Sequence, residues 1–384
     1  MRILFANHTG AVSGAENAML RLLDHLPAEH ERAVACPSDG PLQPILAQRG
    51  IAQYGIDGTD VSLSIRPVQT TRGLLRLVRS GFALRRAARS FGADVIHANS
   101  VRAGLIAIVA RRLGGPPVVV QCHDHLPQNR VGRLTRVAIA RGADGVVAVS
   151  DRTAEDFNDG LARPKAERVY ISVDHERFSP AAQGSSAIRS ELSLPDDAWL
   201  LAEVAQITPW KGQDTAIRAL ERVRERHDAH LLIVGDVAFS SQRYDNVGFR
   251  RSLGELARDL GVADAVHFLG RRDDVPGLIG SIDLLLLPSW DEPFGLVVAE
   301  AMAIGTPVLV TDRGGVREYV ADGVNGRLLP PHDADAWAAA VDELLGDRET
   351  LARMSRESIN TAAQFNDERY SREMLAAYER VASA

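Results

Sequence analysis

Two series of short apolar runs, separated by helical patterns, constrain the fold of this chain more than any other feature. In the first half the runs are RILFAN (2–7), RAVACP (32–37), DVIHANS (94–100), PVVVQCHD (117–124), GVVAVS (145–150) and RVYIS (168–172). In the second half they are WLLAEVAQI (199–207), HLLIVGD (230–236), AVHFLG (265–270), DLLLLPS (283–289) and TPVLVTD (306–312). Nearly continuous apolar strands that alternate with helices are typical of parallel sheets covered on both faces. The pattern predicts two Rossmann-like, doubly wound α/β domains.

The length of 384 residues also favours two domains, because single hydrophobic cores rarely grow beyond about 250 to 300 residues. A polar, Ser- and Pro-containing passage at 175–197 is interpreted as the connection between them. We therefore predict an N-terminal domain over 1–178 and a C-terminal domain over 179–366. The amphipathic stretch 367–384 predicts a last helix, and its pattern does not say which domain it packs on. Ligands of doubly wound sheets bind at the carboxyl ends of the strands, so a central cleft between the domains is expected.

Composition bounds the location of the chain and its partners. No run of about 18 apolar residues is present, and MRILFANH begins as a buried strand without the features of a signal peptide. We expect a cytoplasmic protein. Cys36 and Cys122 lie in apolar runs without metal-ligand spacing and are predicted to be buried thiols. The net charge is −6, and basic residues without aromatic interleaving make a nucleic acid partner unattractive.

The stretch EPFGLVVAE, residues 292–300, places two carboxylates on a strand-to-helix turn. The free N–H groups of a first helical turn favour an anion or sugar hydroxyls, and Gly295 allows a ligand to approach the backbone. Glu292 is expected at the mouth of the cleft. Glu300 lies about two turns further along, on an apolar face, where the vicinal hydroxyls of a ribose would offset its burial. An exposed helix Glu and a loop Glu are the alternative interpretation.

Three further stretches lie where strands are expected to end. In QITPWKGQD (206–214), Lys211 and Gly212 open a helix, where an ammonium group can neutralise a diphosphate; a solvated turn is the alternative. The loop HTGAVSGAEN (8–17) lacks a dinucleotide fingerprint, although its backbone near Gly14 allows contact with a phosphate or sugar. His123 can hydrogen-bond a hydroxyl group, or it is simply a loop histidine, and its spacing to other ligands does not favour zinc.

Together with PWKG, FLGRRDDV, SGAE and HERFSP, the segment PSWDEPFGLVVAEAMAIGTPVLVTDRGGVREYV resembles the retaining nucleotide-sugar glycosyltransferases of family 4, which have the GT-B fold. The resemblance implies that Glu292 contacts the donor sugar, Glu300 the ribose and Lys211 the diphosphate. It also places near the donor Gly14, His123, Arg272 and the backbone of Phe294, Gly295, Leu296 and Val297. GT-B enzymes of this type send their last helix back to the N-terminal domain.

The chain departs from the family at two places. Gln206 stands where the family has an Arg that binds phosphate, and Ile171-Ser172 stands where the family has Asn-Gly. The D-x-D pair Asp333 and Asp335 precedes a helical pattern and is interpreted as an N-cap, so no metal and no other cofactor is expected. The resemblance favours attack on the face of the sugar from which the diphosphate leaves, with that diphosphate accepting the acceptor's proton.

A basic segment raises the question of a membrane partner. Residues 64–141 hold fourteen Arg, no Lys and two acidic residues. On a helical wheel of 72–90, Arg72, Arg76, Arg79 and Arg86 cluster, and Leu74, Leu77, Val78 and Leu84 lie on the other side. Such a helix can lie on an anionic membrane, at the inner face of the cell membrane. An Arg-rich composition with no lipid partner explains the same face equally well.

The predicted activity is metal-independent, retaining transfer of a hexose-type sugar from a UDP- or GDP-sugar. The acceptor is a hydroxyl group of a cell-envelope glycan, a glycolipid or a natural product. A related GT-B enzyme such as a nucleotide-sugar epimerase or phosphorylase is the first alternative. A non-catalytic, two-domain sugar-binding protein of the periplasmic type is the second, and the absence of a signal peptide in the sequence argues against it.

Overall fold

The computed structural model describes residues 1–58, 67–184, 186–237 and 245–383, with backbone alone at 67–72. The chain divides into two compact units. Unit 1 contains residues 1–172 and 367–384, and unit 2 contains residues 173–366. The first boundary lies six residues before the predicted one at 178, because the Val173 amide donates to the Phe365 carbonyl at 2.9 Å and so fixes its segment to unit 2.

Unit 1 is a seven-stranded parallel sheet with helices on both faces, and its strand order is β3-β2-β1-β4-β5-β6-β7. Its strands are β1 Arg2–Ala6, β2 Glu31–Cys36, β3 Ala52–Gly55, β4 Val95–Ala98, β5 Val118–Cys122, β6 Gly145–Ala148 and β7 Ala166–Arg168. Its helices are α1 Gly14–His25, α2 Leu42–Gln48, α3 Pro67–Phe91, α4 Val101–Arg112, α5 Arg130–Gly142, α6 Asp151–Asn158 and, near the C-terminus, α14 Asp367–Ala382. The apolar runs form the buried centre, and Cys36 and Cys122 are buried free thiols as predicted.

Unit 2 repeats this architecture with six parallel strands in the order β10-β9-β8-β11-β12-β13. Its strands are β8 Trp199–Val204, β9 Ala229–Val234, β10 Val266–Gly270, β11 Leu284–Leu287, β12 Val308–Thr311 and β13 Arg327–Leu329. Its helices are α7 Ile188–Glu191, α8 Gln213–Val223, α9 Asn246–Asp259, α10 Val275–Ile279, α11 Leu296–Ile304, α12 Ala334–Leu345 and α13 Arg348–Ala362. The predicted fold class, two Rossmann-like doubly wound units, is confirmed.

Two features of the sequence prediction are wrong in detail. The run RVYIS (168–172) is not a strand along its length, because β7 occupies residues 166–168 and ends where the run begins. The passage 175–197 is not a free connection. It packs on unit 2, where the Gln183 side-chain amide donates to the Ile304 carbonyl at 3.0 Å and Ile188 is fully buried.

The C-terminal helix α14 packs on the sheet of unit 1 through tyrosine side chains. The Tyr378 hydroxyl lies 2.8 Å from Nδ1 of His97 on β4, and the Tyr370 hydroxyl lies 3.1 Å from the side-chain nitrogen of Gln121 on β5. Both rings are at most 1% exposed. A buried hydroxyl needs a partner, so these two bonds fix the position of α14 along the sheet.

Helix α3 does not separate its apolar and basic residues in the way that the helical wheel predicts. Leu84 is fully buried and Leu77 partly so, but Leu74 is 60% and Val78 37% exposed. Only a narrow stripe of the helix is covered, and it includes the small residues Ser80, Gly81 and Ala88, of which Gly81 packs so closely that a Cβ there would lie 2.4 Å from the Val109 side chain. Arg72 lies outside the residues whose side chains the structure describes.

Candidate functional site

The side chains of Lys211 and Glu292 form an ion pair in unit 2. The ammonium nitrogen of Lys211 lies 2.7 Å from Oε2 of Glu292, and the Ser289 hydroxyl donates to the same oxygen at 2.9 Å. Lys211 is 13% and Glu292 8% exposed at the side chain. Both residues follow neighbouring strands, β8 and β11, at their carboxyl ends. The sequence therefore predicted correctly that they belong to one edge of one sheet.

Backbone contacts hold the two loops together. The Trp290 amide donates to the Trp210 carbonyl at 2.9 Å. Gly212 has a φ of +84°, and a Cβ at this position would lie 2.2 Å from the Pro288 carbonyl oxygen. Only glycine fits both the left-handed conformation and this close approach. Residues 205–212, the Lys211 loop, are therefore fixed against strand β11, which leads to Glu292.

A third segment, which follows β12, supports the Glu292 loop from the other side. The Gly315 amide donates to the Glu292 carbonyl at 2.7 Å, and the Glu292 amide donates to the Arg313 carbonyl at 3.4 Å. Gly314 has a φ of +91°, and a Cβ there would lie 2.1 Å from the Glu292 carbonyl oxygen. This role was not predicted, although a Gly-Gly doublet directly after a buried strand is a signal for such an approach.

Helix α11 begins next to the ion pair. Its N-cap is Gly295, with φ +79° and ψ +58°, and its first residues are Leu296 and Val297. First-turn amides have no intrahelical acceptor and favour anions. The Tyr319 hydroxyl donates to the Phe294 carbonyl at 2.6 Å and lies 3.1 Å from the Gly295 carbonyl, another contact that was not predicted from the sequence. The turn therefore brings several amides to the edge that carries Lys211.

Glu300 lies further along α11 and is partly buried. Within the described residues its carboxylate has no hydrogen bond or ion pair. Burial raises the pKa of Glu300 to about 8, Arg177 partly opposes this rise, and Asp174 adds to it. A carboxylate in this state lacks donors, and a pair of vicinal hydroxyls would supply them.

The raised pKa of Glu300 leads to a pH prediction for nucleotide binding. If ribose hydroxyls donate to the ionised Glu300 carboxylate, UDP binding below pH 8 requires that Glu300 lose its proton. We expect the affinity for UDP to rise about fiftyfold between pH 6 and pH 8 and to level off above, because the ionised fraction of a carboxyl group with a pKa of about 8 rises from about 1% to about 50% over this range. Calorimetric titration of the wild type and of Glu300→Gln separates this effect from the ionisation of UDP itself. A pH profile shared by the two proteins would contradict the assignment.

A second carboxyl group lies beneath the edge, on strand β8. Glu203 is fully buried, and within the described residues neither of its side-chain oxygens has a hydrogen-bond partner. Burial raises the pKa of Glu203 well above its ordinary value; Asp214 and Glu292 raise it further, and Lys211 lowers it. Burial therefore favours the neutral form of Glu203, and Glu292 is the counter-ion of Lys211.

Glu203 is expected to reduce stability as the pH rises. Above pH 4.5 the unfolded chain releases the proton of Glu203, whereas the folded chain keeps it. The free energy of unfolding therefore falls progressively as the pH rises above 4.5. Glu203→Gln should therefore gain stability over the wild type between pH 5 and pH 8, by at most about 3 kcal/mol at pH 7. Melting temperatures across this range measure the gain, with Glu255→Gln on the exposed face of α9 as the control. A difference that does not change with pH would contradict the prediction.

Gln206 and Arg272 make contacts other than the ion pair of Lys211 and Glu292. Gln206 lies in the Lys211 loop, and its carbonyl accepts from the Gln213 side chain at 3.1 Å. The Arg272 guanidinium is engaged by Asp274 at 2.8 Å and Glu191 at 2.7 Å, and these bonds raise its pKa. The side chain of Arg272 is therefore held by these two carboxylates in unit 2. This leaves the backbone of Arg272 available to contact a nucleotide base.

In unit 1, a chain of polar contacts leads from His123 to helix α1. Nε2 of His123 lies 3.3 Å from Oδ1 of Asn99, Asn99 donates to Oδ1 of Asn7 at 3.2 Å, and Asn7 donates to Glu16 at 3.2 Å. Burial lowers the pKa of His123 to about 4, so its ring is neutral at pH 7. A neutral imidazole held at one nitrogen can present the other to a hydroxyl group.

Gly14 is the first residue of α1 and is exposed, with open space where a Cβ would project. The preceding Ser13 forms a capping box with Glu16, whose carboxylate accepts from the Ser13 hydroxyl at 2.6 Å and amide at 3.0 Å. SGAE is therefore a helix start that leaves the backbone at Gly14 accessible. This contact explains the Ser-x-x-Glu spacing, which the sequence analysis did not interpret.

The D-x-D pair has the structural role that the sequence predicts. The Asp333 side chain accepts from the Ala336 amide at 3.0 Å and caps α12, and Asp335 pairs with Arg222 at 2.8 Å. Both acids are thus engaged in holding α12.

Comparison with known proteins gives consistent results for both units. The family model "Glycosyltransferase Family 4" matches residues 12–177, and "Glycosyl transferases group 1" matches residues 185–361. A D-inositol 3-phosphate glycosyltransferase of Stackebrandtia nassauensis is 34% identical over 307 residues, which cover 74% of this chain and 68% of the relative. A D-inositol 3-phosphate glycosyltransferase of Salinispora arenicola is 31% identical over 334 residues, which cover 82% of this chain and 73% of the relative.

Solved structures with the same fold include Anabaena HepE in complex with UDP-glucose. The two proteins share 25% identity and a TM-score of 0.84, with 99% of this chain and all of that chain covered. Sucrose-phosphate synthase of Thermosynechococcus elongatus is 21% identical with a TM-score of 0.80 over 99% and 98% of the chains. The second similarity concerns the fold alone.

Proposed function

The chain belongs to glycosyltransferase family 4, and on this premise we propose that it transfers a hexose from a UDP-sugar to an acceptor hydroxyl with retention at the anomeric carbon. Retention is typical of the family. The observation that carries the proposal is the ion pair of Lys211 and Glu292 beside the first turn of α11. UDP is favoured as the nucleotide because HepE binds UDP and UDP-glucose.

In this proposal unit 2 holds the donor. Lys211 and the amides of Phe294 to Val297 bind the diphosphate and the sugar. Glu292 accepts from sugar hydroxyls, and Glu300 accepts from those of the ribose. Since Gln206 carries no charge, Lys211 is the cation that the Lys211 loop contributes to the diphosphate.

The reaction then consists of one displacement in which charge develops on the leaving diphosphate. The bond between the anomeric carbon and the diphosphate oxygen breaks, and the bond to the acceptor oxygen forms on the same face of the sugar. The proton of the acceptor hydroxyl passes to the departing diphosphate. Lys211 and the first-turn amides stabilise the developing charge, and each such donor contributes about 3 kcal/mol in comparable sites. We propose that no metal ion is needed, because these groups supply the positive charge.

Unit 1 is proposed to bind the acceptor. His123, neutral and oriented by Asn99, presents a ring nitrogen to a hydroxyl group. A groove at the start of α5 is lined by Arg130 and Arg133, neither of which pairs with a carboxylate in the described part of the chain. The names of the relatives in Stackebrandtia and Salinispora make an inositol phosphate the first acceptor to test.

The test incubates the purified protein with UDP-glucose, UDP-N-acetylglucosamine, UDP-galactose and GDP-mannose, with and without inositol phosphate and EDTA. Release of UDP, and an unchanged anomeric configuration in the NMR spectrum of the product, are expected in EDTA. Release of free nucleotide that depends on inorganic phosphate would indicate a phosphorylase, and interconversion of UDP-sugars would indicate an epimerase. Failure to bind or cleave any of the four donors would refute the proposal.

We propose as a second point that α3 contacts an anionic membrane surface. Leu75 is 67% and Phe82 53% exposed, and they lie among Arg76, Arg86 and Arg89, which are exposed as well. Apolar side chains flanked by arginine favour a bilayer with anionic headgroups, at about 1 kcal/mol for each arginine near the surface. None of the helices in the described residues combines the length and apolar character that a bilayer crossing requires.

Sedimentation with vesicles tests this contact. The wild type is expected to sediment with phosphatidylglycerol vesicles but not with phosphatidylcholine vesicles. The double variant Leu75→Ser/Phe82→Ser should lose most of this binding. Leu134→Ser on α5, which removes a side chain that is 69% exposed, is the matched control and should keep it. Failure of the wild type to sediment would favour the Arg-rich composition without a lipid partner.

A further inference from the structure

The hydroxyl group of Tyr319 contacts two consecutive carbonyls at the start of α11. It donates to the Phe294 carbonyl at 2.6 Å and lies 3.1 Å from the Gly295 carbonyl. Its ring is 6% exposed and packs on the rings of Phe294 at 5.5 Å and Phe365 at 5.0 Å between centroids. The hydroxyl group is therefore fixed in place by an aromatic cluster.

The direction of a backbone carbonyl determines the direction of the amide in the same peptide plane. A trans peptide is planar, so its C=O and N–H point in opposite directions. The carbonyl of Phe294 shares a peptide plane with the amide of Gly295, and the carbonyl of Gly295 shares one with the amide of Leu296. The Gly295 carbonyl also accepts from the amides of Val298 and Ala299 at 2.9 and 3.2 Å, so helix α11 itself fixes the plane that carries the Leu296 amide. The Tyr319 hydroxyl group, which donates to the Phe294 carbonyl, therefore turns the Gly295 amide away from Tyr319.

This turn has little conformational preference of its own. Gly295 adopts φ +79°, and glycine populates positive and negative φ about equally. A Cβ at this position would lie 2.6 Å from Cγ1 of Val316, so a more restricted residue does not fit. The peptide plane between Phe294 and Gly295 lies before the first intrahelical bond of α11 and therefore depends on a contact from outside the helix for its orientation.

We propose that Tyr319 is a positioning residue for sugar transfer, because its hydroxyl group orients the amide of Gly295 toward the donor. The proposal rests on the proposed function, since this amide is one of the groups assigned there to the diphosphate and the sugar. Tyr319 does not itself touch the substrate. It acts on the charge that develops on the diphosphate, so its loss affects the rate of transfer more than the binding of UDP.

The test compares the wild type with Tyr319→Phe, which keeps the ring and removes the hydroxyl group. We expect kcat for a UDP-sugar donor to fall roughly tenfold, because the Gly295 amide loses its fixed direction, and the affinity for UDP to stay within about twofold. Tyr378→Phe is the matched control. It removes an equally buried hydroxyl bond, 2.8 Å from His97 in unit 1, and should lower the melting temperature without lowering kcat.

Hydrogen exchange provides a readout that does not depend on activity. Peptides that cover residues 293–299 should exchange at least several-fold faster in Tyr319→Phe than in the wild type, and should not change in Tyr378→Phe. Unchanged exchange in this segment, or full activity of Tyr319→Phe in an active enzyme, would overturn the proposal. A wild type that cleaves no UDP-sugar would refute the proposed function instead, and the exchange result would still decide whether Tyr319 holds the turn.

Discussion

Glu292→Gln is expected to lower the rate of sugar transfer about a hundredfold while UDP binding persists or becomes tighter. The carboxylate that accepts from the sugar is lost, which removes an interaction with the reacting end of the donor. The amide that replaces it can still accept from Lys211 and from Ser289, which lie 2.7 and 2.9 Å from the native oxygen, so the local structure is kept. Lys211 is no longer neutralised, and its charge acts on the diphosphate alone.

Steady-state kinetics and calorimetry with UDP measure the two effects separately. Glu300→Gln is the matched control, since it makes the same chemical change on the same side of unit 2. Glu300→Gln should show the reverse pattern, with a weaker affinity for UDP above pH 8 and a smaller loss in kcat than Glu292→Gln. If Glu292→Gln transfers sugar within threefold of the wild type, or if it loses UDP, the role given to Glu292 is wrong.

The sequence predicts the sheets well because their strands are buried on both faces. Strands such as β5 and β11 are almost wholly apolar and are bounded by polar residues, so their runs are distinct. The edge strands β3 and β13 were missed, because they are only four and three residues long and partly exposed, which removes the pattern. Local periodicity therefore identifies the centre of each sheet better than its borders.

The site is predictable only as far as chain topology determines it. Lys211 and Glu292 follow adjacent parallel strands, so their common edge could be predicted, whereas the 2.7 Å ion pair could not. Glu203 stands out as an acid in an apolar run, but periodicity does not say that its oxygens lack partners. The contact of Tyr319 with Phe294 spans 25 residues and depends on how two loops pack. Such contacts follow from tertiary packing, which single-sequence patterns do not encode.

Lys211→Met is expected to weaken UDP binding and to slow transfer, each by about a hundredfold. The substitution removes the ammonium group and leaves the Glu292 carboxylate, 8% exposed, facing the diphosphate without a counter-ion. The diphosphate therefore loses an attraction and meets an uncompensated repulsion. Lys165→Met is the matched control, because the Lys165 ammonium donates to the Asp144 carbonyl in unit 1 and should not affect UDP binding.

The repulsion and the attraction can be separated by a double-mutant cycle. In Lys211→Met/Glu292→Gln the uncompensated carboxylate is gone, so Glu292→Gln should tighten UDP binding more in the Lys211→Met background than it does in the wild type. Residues in direct contact typically couple by about 0.5 to 3 kcal/mol, which corresponds to a recovery of roughly twofold to more than a hundredfold in affinity. Calorimetry on the four proteins gives this coupling directly. Additive changes, with Glu292→Gln shifting the affinity for UDP by the same factor in the wild type and in Lys211→Met, would mean that Lys211 and Glu292 act on the donor independently, and that their ion pair has no part in setting the charge that the diphosphate meets.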